Sequence, residues 1–166
     1  LEKPEGADGF ALITPIQIQV GEEAFGTSAG YGELKLTLRS WDNEVMNTLK
    51  EKVEKLVRTV SEQHKLAVDI GWTQSFAASV NSPEMTAVIQ NAAEQNNLVY
   101  HPKEEPFRWG EDFGHFTSQY KGAMFGLGAG KKTPALHNPD YDFPDDIIPS
   151  GVKMFQSVIE QLLDES

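Results

Sequence analysis

Apolar and polar side chains alternate along three short segments in the first half of the chain. Isoleucine and valine alternate with glutamine over residues 16–20, and leucine alternates with polar side chains over residues 34–39. Because successive side chains of a strand point to opposite faces, each segment predicts a half-buried strand. A glycine-rich link at residues 26–32 joins these two strands, and the alternation at residues 66–72 predicts a third.

Between the second and third predicted strands, the apolar positions change to helical spacing. They recur every three or four residues over 45–60, which predicts the longest helix of the chain, and Asp42 or Asn43 can cap its amino end. The first half therefore reads strand, strand, helix, strand. This order predicts an antiparallel sheet covered on one face by a helix.

The second half begins near residues 79–83 and has a different rhythm. Ser82 followed by Pro83 predicts a helix start, with an apolar face continuing to residue 92. A short strand is predicted at residues 98–100, and a helix at 111–120 with Glu111 and Asp112 in its first turn. The continuous apolar run at residues 123–127 favours a strand buried on both faces, and helical spacing over 152–162 predicts a closing helix.

Composition excludes several classes of function. The chain has 166 residues, enough for one ordinary domain or two small ones, and a formal net charge of −11 argues against a nucleic-acid partner. No segment approaches the roughly 20 apolar residues that a membrane-spanning helix needs. The chain is therefore predicted to be soluble, without a choice between the cytoplasm and a periplasmic or secreted location. Without cysteine it has neither a disulfide nor a thiolate ligand.

Three motifs in the second half occur in an order and spacing that carry a family resemblance. They are Gly-Glu-Asp-Phe at 110–113, Phe-Gly-Leu-Gly-Ala-Gly at 125–130, and Leu-His-Asn-Pro at 136–139 before the closing helix. This half resembles the carboxy-terminal part of the metal-dependent amidohydrolase and peptidase family that includes aminoacylase, glutamate carboxypeptidase, hippurate hydrolase and the auxin-conjugate hydrolases. The first half, with Val-Gly-Glu at 20–22 and Thr-Leu-Arg-Ser at 37–40, resembles that family's inserted lid or dimerisation domain.

The resemblance implies an α+β chain made of two pieces. Residues 1–79 would form a partial lid or dimerisation domain, and residues 80–166 the carboxy-terminal portion of an α/β metallohydrolase catalytic domain. Most of the family's metal ligands and its general base come before the lid, and no motif of that kind is found here. We therefore expect the chain to begin inside the lid, without the amino-terminal catalytic half, and to be inactive alone.

The resemblance also implies roles for three residues. His137 matches the family's last metal-binding histidine, for two divalent ions that would be zinc, cobalt or manganese. Arg39 matches a lid arginine that grips the substrate carboxylate, and Gly110 a residue whose backbone N–H faces the substrate. No catalytic residue is assigned within the chain. The parent enzyme would use metal-activated water to hydrolyse the amide bond of N-acyl amino acids or small peptides, and would form a homodimer through its lid.

Structural alternatives stand beside each of these roles. A lone loop histidine is commonly a surface residue, Arg39 can be a solvated charge, and Gly110 can simply precede a helix. The family's asparagine upstream of the arginine strand has no counterpart in residues 26–32, so either the carboxylate pocket is altered or that role passes to Ser28 or to a backbone group. Two rival functions remain open: a non-catalytic dimerisation fragment, and a fragment that binds small carboxylates. His64, His101 and His115 lie in no supporting pattern.

Overall fold

The computed structural model describes residues 10–107 and 109–164. These residues form a mixed α+β structure with a two-stranded antiparallel sheet, which confirms the predicted fold class. The strands are β1 (Ala11–Val20) and β2 (Gly32–Ser40). The helices are α1 (Asn43–Gln63), α2 (Pro83–Gln95), α3 (Gly114–Thr117) and α4 (Ile148–Asp164), with a 3-10 turn at Asp145–Ile147 before α4.

The chain divides into two compact units. Of the described residues, unit 1 contains 10–78 and 106–112 without residue 108, and unit 2 contains 79–105 and 113–164. Unit 1 therefore holds both strands and α1, and unit 2 holds the remaining helices. The assignment of these units to a lid and to part of a catalytic domain stays a prediction.

A β-bulge sets the faces of the sheet in unit 1. The strands pair from Ala11 opposite Ser40 to Val20 opposite Gly32, with an irregularity between Pro15 and Gln17. An extra residue shifts the alternation by one position. Consequently the odd-numbered Ile13 and the even-numbered Ile18 lie on the same apolar face, opposite Leu38 and Leu34 respectively.

Helix α1 packs against both strands, and its start is fixed by Asp42. The Asp42 carboxylate Oδ1 accepts hydrogen bonds from the backbone N–H of Glu44 (2.8 Å) and Val45 (2.9 Å). This interaction satisfies two of the helix's unpaired donors, and it decides between the two predicted caps. The α1 side chains Leu49 and Val53 are buried. The predicted helix is confirmed and it contacts both strands, but it leaves the hairpin end of the apolar sheet face exposed.

The third predicted strand is wrong: residues 66–72 belong to no sheet. Side-chain interactions with α1 hold the end of this segment. The Trp72 Nε1–H donates to Glu54 Oε1 at 2.6 Å, and Lys50 Nζ lies 4.8 Å from the centre of the Trp72 ring. Alternation of apolar and polar residues indicates which side chains share a face. A strand also needs a second strand to pair with its backbone N–H and C=O groups. Sequence alternation alone could not distinguish the two cases.

In unit 2, the core forms between α2 and α4. Both predicted helices are confirmed, with Ser82 at the N-cap and Pro83 at the start of α2. The core is a cluster of four buried residues: Ile89, Ala92, Ala93 and Met154. Side chains from residues 98–100 and 123–125 pack against it. These two segments, however, form no strand ladder among the described residues, so the strands predicted there are wrong.

The helix predicted at residues 111–120 is much shorter in the structure. Only Gly114–Thr117 is helical, so Glu111 and Asp112 precede the helix instead of forming its first turn. A short helix is stabilised mainly by burying an apolar face, and the expected face is exposed, with Phe116 at 60% and Tyr120 at 70%. Gly114 adds a backbone that is unfavourable in helices.

Candidate functional site

Arg39 lies near the end of β2, on the polar face of the sheet. It pairs with Leu12 across the strands, whereas the half-buried Leu38 next to it belongs to the opposite, apolar face. The exposed Lys35 is on the same polar face, four residues earlier, and forms an ion pair with Glu33 at 3.1 Å. The fold therefore presents Arg39 on a polar sheet surface, where a guanidinium could reach a small anion.

Gly110 lies in unit 1, in an exposed segment after the stacked rings of Phe107 and Trp109, whose centroids are 4.2 Å apart. A Cβ atom built on Gly110 would meet only Phe76 Cδ2, at an ordinary contact distance of 3.7 Å. Neither the surrounding space nor a left-handed backbone requires glycine here. Helix α3 begins at Gly114, so Gly110 does not immediately precede a helix as predicted. The substrate-facing role of Gly110 stays a prediction.

His137 lies in an exposed turn of unit 2 and has an unusual backbone conformation. Its φ is +70°, and the turn is closed by the Asn138 N–H donating to the Ala135 carbonyl at 3.1 Å. Left-handed backbone is uncommon for residues other than glycine, although histidine is among those that adopt it more often. Such conformations cluster at functional sites, so this turn is a candidate for a residue held in place for binding.

The described residues do not form a complete metal centre. No group of three or more histidine, aspartate or glutamate side chains among them is placed to hold a metal ion. A catalytic zinc site usually takes about three protein ligands. The described residues therefore do not by themselves supply such a centre, and the metal-binding role of His137 stays a prediction.

The structure places the three predicted site residues in two units. Arg39 and Gly110 belong to unit 1, and His137 belongs to unit 2. Glu111 and Asp112, which together resemble an acid and base pair, are exposed residues of unit 1 in the segment before α3. The roles of these residues stay predictions.

One surface feature went unrecognised in the sequence. An open surface along α4 is formed by Gly151, Val152, Phe155, Gln156, Ile159 and Glu160. The apolar spacing of this helix was evident in the sequence, where it predicted the helix but not the exposure of this face. Val152, Phe155 and Ile159 are more than half exposed, at 60%, 61% and 56%.

We expect His137→Gly to leave the free energy of unfolding unchanged or to raise it by up to about 1 kcal/mol. A left-handed backbone costs an L-residue about 1–2 kcal/mol and costs glycine nothing, so the substitution removes this strain. Part of the gain in stability is lost again, because glycine gives the unfolded chain more conformational entropy. Urea unfolding followed by circular dichroism measures the change. As a control, the neighbouring Leu136→Gly, at a position without positive φ, should lower stability. Equal losses in both variants would contradict a strained His137.

A family profile and several known proteins match this chain. The sequence profile described as peptidase family M20/M25/M40 matches residues 6–161. Among the relatives, an uncharacterized hydrolase of Staphylococcus haemolyticus is 30% identical over 103 residues, which is 62% of this chain and 27% of that protein. YhaA of Bacillus subtilis, whose name provisionally calls it an amidohydrolase, is 26% identical over 154 residues, covering 86% of this chain and 39% of YhaA.

An uncharacterized hydrolase of Staphylococcus epidermidis is 25% identical over 142 residues, which covers 82% of this chain and 37% of that protein. The chain thus spans well under half the length of these relatives. No solved structure matches it significantly. The profile match confirms the family resemblance that was inferred from the three motifs. In the part of the chain that the structure describes, no helix is both long and apolar enough to cross a membrane.

Proposed function

The chain belongs to peptidase family M20/M25/M40, and from this membership we propose that it is part of a metal-dependent hydrolase of N-acyl amino acids or small peptides. The observation that carries the proposal is the family match over residues 6–161, nearly the whole chain. The provisional name of YhaA, amidohydrolase, supports the proposal that the bond hydrolysed is an amide. The substrate class follows from the family resemblance of the motifs around Arg39 and His137.

Arg39 is proposed to orient the substrate by its carboxylate. The guanidinium is planar and permanently charged, so it can donate two parallel hydrogen bonds to a carboxylate. Its position on the polar face of the sheet, away from the face that carries Leu38, supports this role. The backbone N–H of Gly110, in the same unit, is proposed to donate to the substrate as well.

His137 is proposed to supply one ligand to a divalent ion, for which zinc, cobalt and manganese are the candidates. A neutral imidazole is a common ligand for these metals. The exposed side chain and the left-handed backbone of the turn support the assignment. Because the described residues provide no further ligand cluster, the remaining ligands and the general base are proposed to lie outside this chain.

Self-association through unit 1 is part of the same proposal. The hairpin end of the apolar sheet face is exposed, with Ile18 at 71%, Val20 at 69% and Leu34 at 54%. Contiguous exposed apolar side chains are typical of interaction surfaces. The net charge of −11 opposes the approach of two copies, so salt would favour such a dimer.

A second candidate function is binding of small carboxylates without catalysis. The exposed polar face that carries Arg39 favours it, because a guanidinium can hold a carboxylate without any metal. The two functions differ in what the isolated chain should do. Both allow it to bind an N-acyl amino acid, but only the hydrolase proposal requires turnover once the missing catalytic groups are supplied.

An amide-hydrolysis assay with metal analysis tests the proposal. The isolated chain, supplied with zinc, cobalt or manganese and N-acetyl amino acids, is expected to show no turnover and no stoichiometric tightly bound metal, since a single histidine binds metal weakly. Turnover with one or two tightly held ions per chain would show that the catalytic groups lie within these 166 residues, against the proposal.

A second experiment uses a chimera in which this chain is joined to the part of YhaA that it does not match. Turnover by this chimera that His137→Ala abolishes would support the hydrolase proposal. Carboxylate binding without turnover in a folded, metal-loaded chimera would favour the carboxylate-binding alternative.

A further inference from the structure

Three aromatic side chains lie around Gly110 in unit 1. Trp109 directly precedes Gly110, and its ring stacks on the ring of Phe107, with centroids 4.2 Å apart and planes inclined by 16°. The third side chain is Phe76, whose Cδ2 atom lies 3.7 Å from the position that a Cβ on Gly110 would occupy. All three rings belong to unit 1, and together they are here called the aromatic cluster.

The aromatic cluster is open to solvent. Trp109 is 52% exposed and Phe76 is 45% exposed, whereas Phe107 is half-buried. Because Phe107 covers one face of the Trp109 ring, an exposure this large requires that the opposite face and the ring edge are accessible. An accessible aromatic face is a surface on which another ring can stack. The cluster therefore has the form of a binding surface for a flat apolar group.

The aromatic cluster lies at the end of unit 1 where β2 leads into α1. Asn43 is the first residue of α1 and comes four positions after Arg39. Four residues of chain span at most about 14 Å, so this helix start stays close to Arg39. The Asn43 Oδ1 atom accepts a hydrogen bond at 2.8 Å from the backbone N–H of Ala78, which follows Phe76 by two residues. This hydrogen bond holds the Phe76 segment, and with it the surroundings of Gly110, at the end of β2 that carries Arg39.

The chemistry of an N-acyl amino acid decides which of its groups the cluster meets. Arg39 is proposed to hold the carboxylate, and the Gly110 N–H is proposed to donate to the same substrate. The amino-acid side chain is attached to the carbon that bears this carboxylate, whereas the acyl group is joined through the nitrogen. The amide bond and the acyl group must face the metal, and unit 1 contributes no proposed metal ligand. An aromatic surface beside Arg39 and Gly110 therefore meets the amino-acid side chain and not the acyl group.

We propose that the aromatic cluster binds the amino-acid side chain of the substrate and selects N-acyl amino acids whose side chain is aromatic. The substrate ring stacks on the accessible face of Trp109 while Arg39 holds the carboxylate of the same molecule. The net charge of −11 disfavours a substrate with a second carboxylate, which agrees with an apolar side chain at this position. This inference rests on the proposed function and adds the substrate class to it.

The test compares two ligands by isothermal titration of the purified chain. N-acetyl-L-phenylalanine and N-acetyl-L-alanine share the carboxylate and the amide, so their affinities differ only through the side chain. The original chain is expected to bind the phenylalanine derivative about tenfold more tightly, because a stacked ring adds buried apolar area to the carboxylate contacts.

Two substitutions of Trp109 and one control locate this preference. Trp109→Ala should lower the ratio of the two affinities to about threefold or less, with little change for the alanine derivative, because the stacking face is lost. Trp109→Phe keeps a ring and should retain most of the ratio. The matched control is Phe25→Ala, which removes a 98% exposed ring from the link between β1 and β2. It should leave both affinities unchanged, because Phe25 lies at the hairpin end and Arg39 at the other end of β2.

Several outcomes would overturn the proposal. One is equal binding of the two ligands to the original chain. Another is a preference that persists in a Trp109→Ala chain shown by circular dichroism to be folded, or that Phe25→Ala lowers equally, since either result would place the contact elsewhere. A third is equally tight binding of N-acetyl-L-phenylalaninamide, which would separate the cluster from the carboxylate site.

Failure of this inference is distinguishable from failure of the proposed function. Equal binding of the two ligands that Arg39→Ala weakens would contradict the aromatic preference and leave the carboxylate role of Arg39 intact. No binding of either ligand to the folded chain would count against both.

Discussion

Replacing Met154 with alanine is expected to lower the free energy of unfolding of unit 2 by about 2–5 kcal/mol, the range for truncating a large buried side chain to alanine. Met154 is 3% exposed and packs with Ile89, Ala92 and Ala93 where α2 meets α4. The loss combines the transfer energy of the removed atoms with the cost of a cavity.

The measurement is urea unfolding followed by hydrogen exchange of the α2 and α4 amides. The three tryptophans, at positions 41, 72 and 109, all lie in unit 1, so their fluorescence reports on that unit in the same experiment. Val152→Ala is the matched control, because Val152 is on the same helix but 60% exposed, and it should cost less than about 1 kcal/mol. Equal losses in both variants would contradict the packing described for α4.

Replacing Arg39 with alanine is expected to weaken the binding of N-acetylglycine by about 10- to 100-fold. Hydrogen bonds to charged groups contribute about 1.5–3 kcal/mol, and about 1.4 kcal/mol corresponds to a factor of ten in affinity. Arg39→Lys should give an intermediate loss, because an ammonium keeps the charge but cannot donate two parallel hydrogen bonds. Isothermal titration with the purified chain measures the change.

Two controls make this titration specific to the carboxylate. Lys35→Ala removes another cation from the same polar face of β2 and should change affinity little. N-acetylglycinamide lacks the carboxylate and should bind the original chain and Arg39→Ala equally weakly. If Arg39→Ala binds N-acetylglycine as well as the original chain does, while circular dichroism shows it folded, Arg39 has no role in holding the carboxylate.

The helices were largely predictable because their signals are local. The 3.6-residue spacing and the capping residues indicated α1, α2 and α4, and Asp42 caps α1 through hydrogen bonds to residues two and three positions away. The exception is the segment at 111–120, where the spacing was helical but Phe116 and Tyr120 stay exposed and only Gly114–Thr117 is helical. Helical spacing indicates a face, but burial of that face stabilises the helix.

The strands were less predictable, because a strand depends on a partner that local spacing does not reveal. Alternation at residues 16–20 and 34–39 correctly indicated β1 and β2. The pairing then extended β1 back to Ala11 and introduced a bulge that keeps Ile13 and Ile18 on one face, despite their odd and even positions. The apolar segments at 66–72, 98–100 and 123–127 have no ladder among the described residues.

The candidate site was predicted as separate residues and not as an assembly. Motif order identified Arg39, Gly110 and His137 through the family resemblance, and the profile match over residues 6–161 supports that family. The positive φ of His137 was not foreseen, although the Asn-Pro pair that follows it is a turn signal. Ligand groups assemble from residues distant in sequence, so motif order could not show that Arg39 and Gly110 fall in one compact unit and His137 in the other.

By itself the sequence determined the family, the three long helices and the polar side of β2 that carries Arg39, because each depends on motifs or on short-range periodicity. Only the tertiary structure decided which apolar segments pair and which apolar faces are covered. It shows Met154 buried and Phe155, the next residue, 61% exposed on the same helix. The physical reason is that burial and strand pairing are properties of two surfaces in contact, and a single segment encodes only one of them.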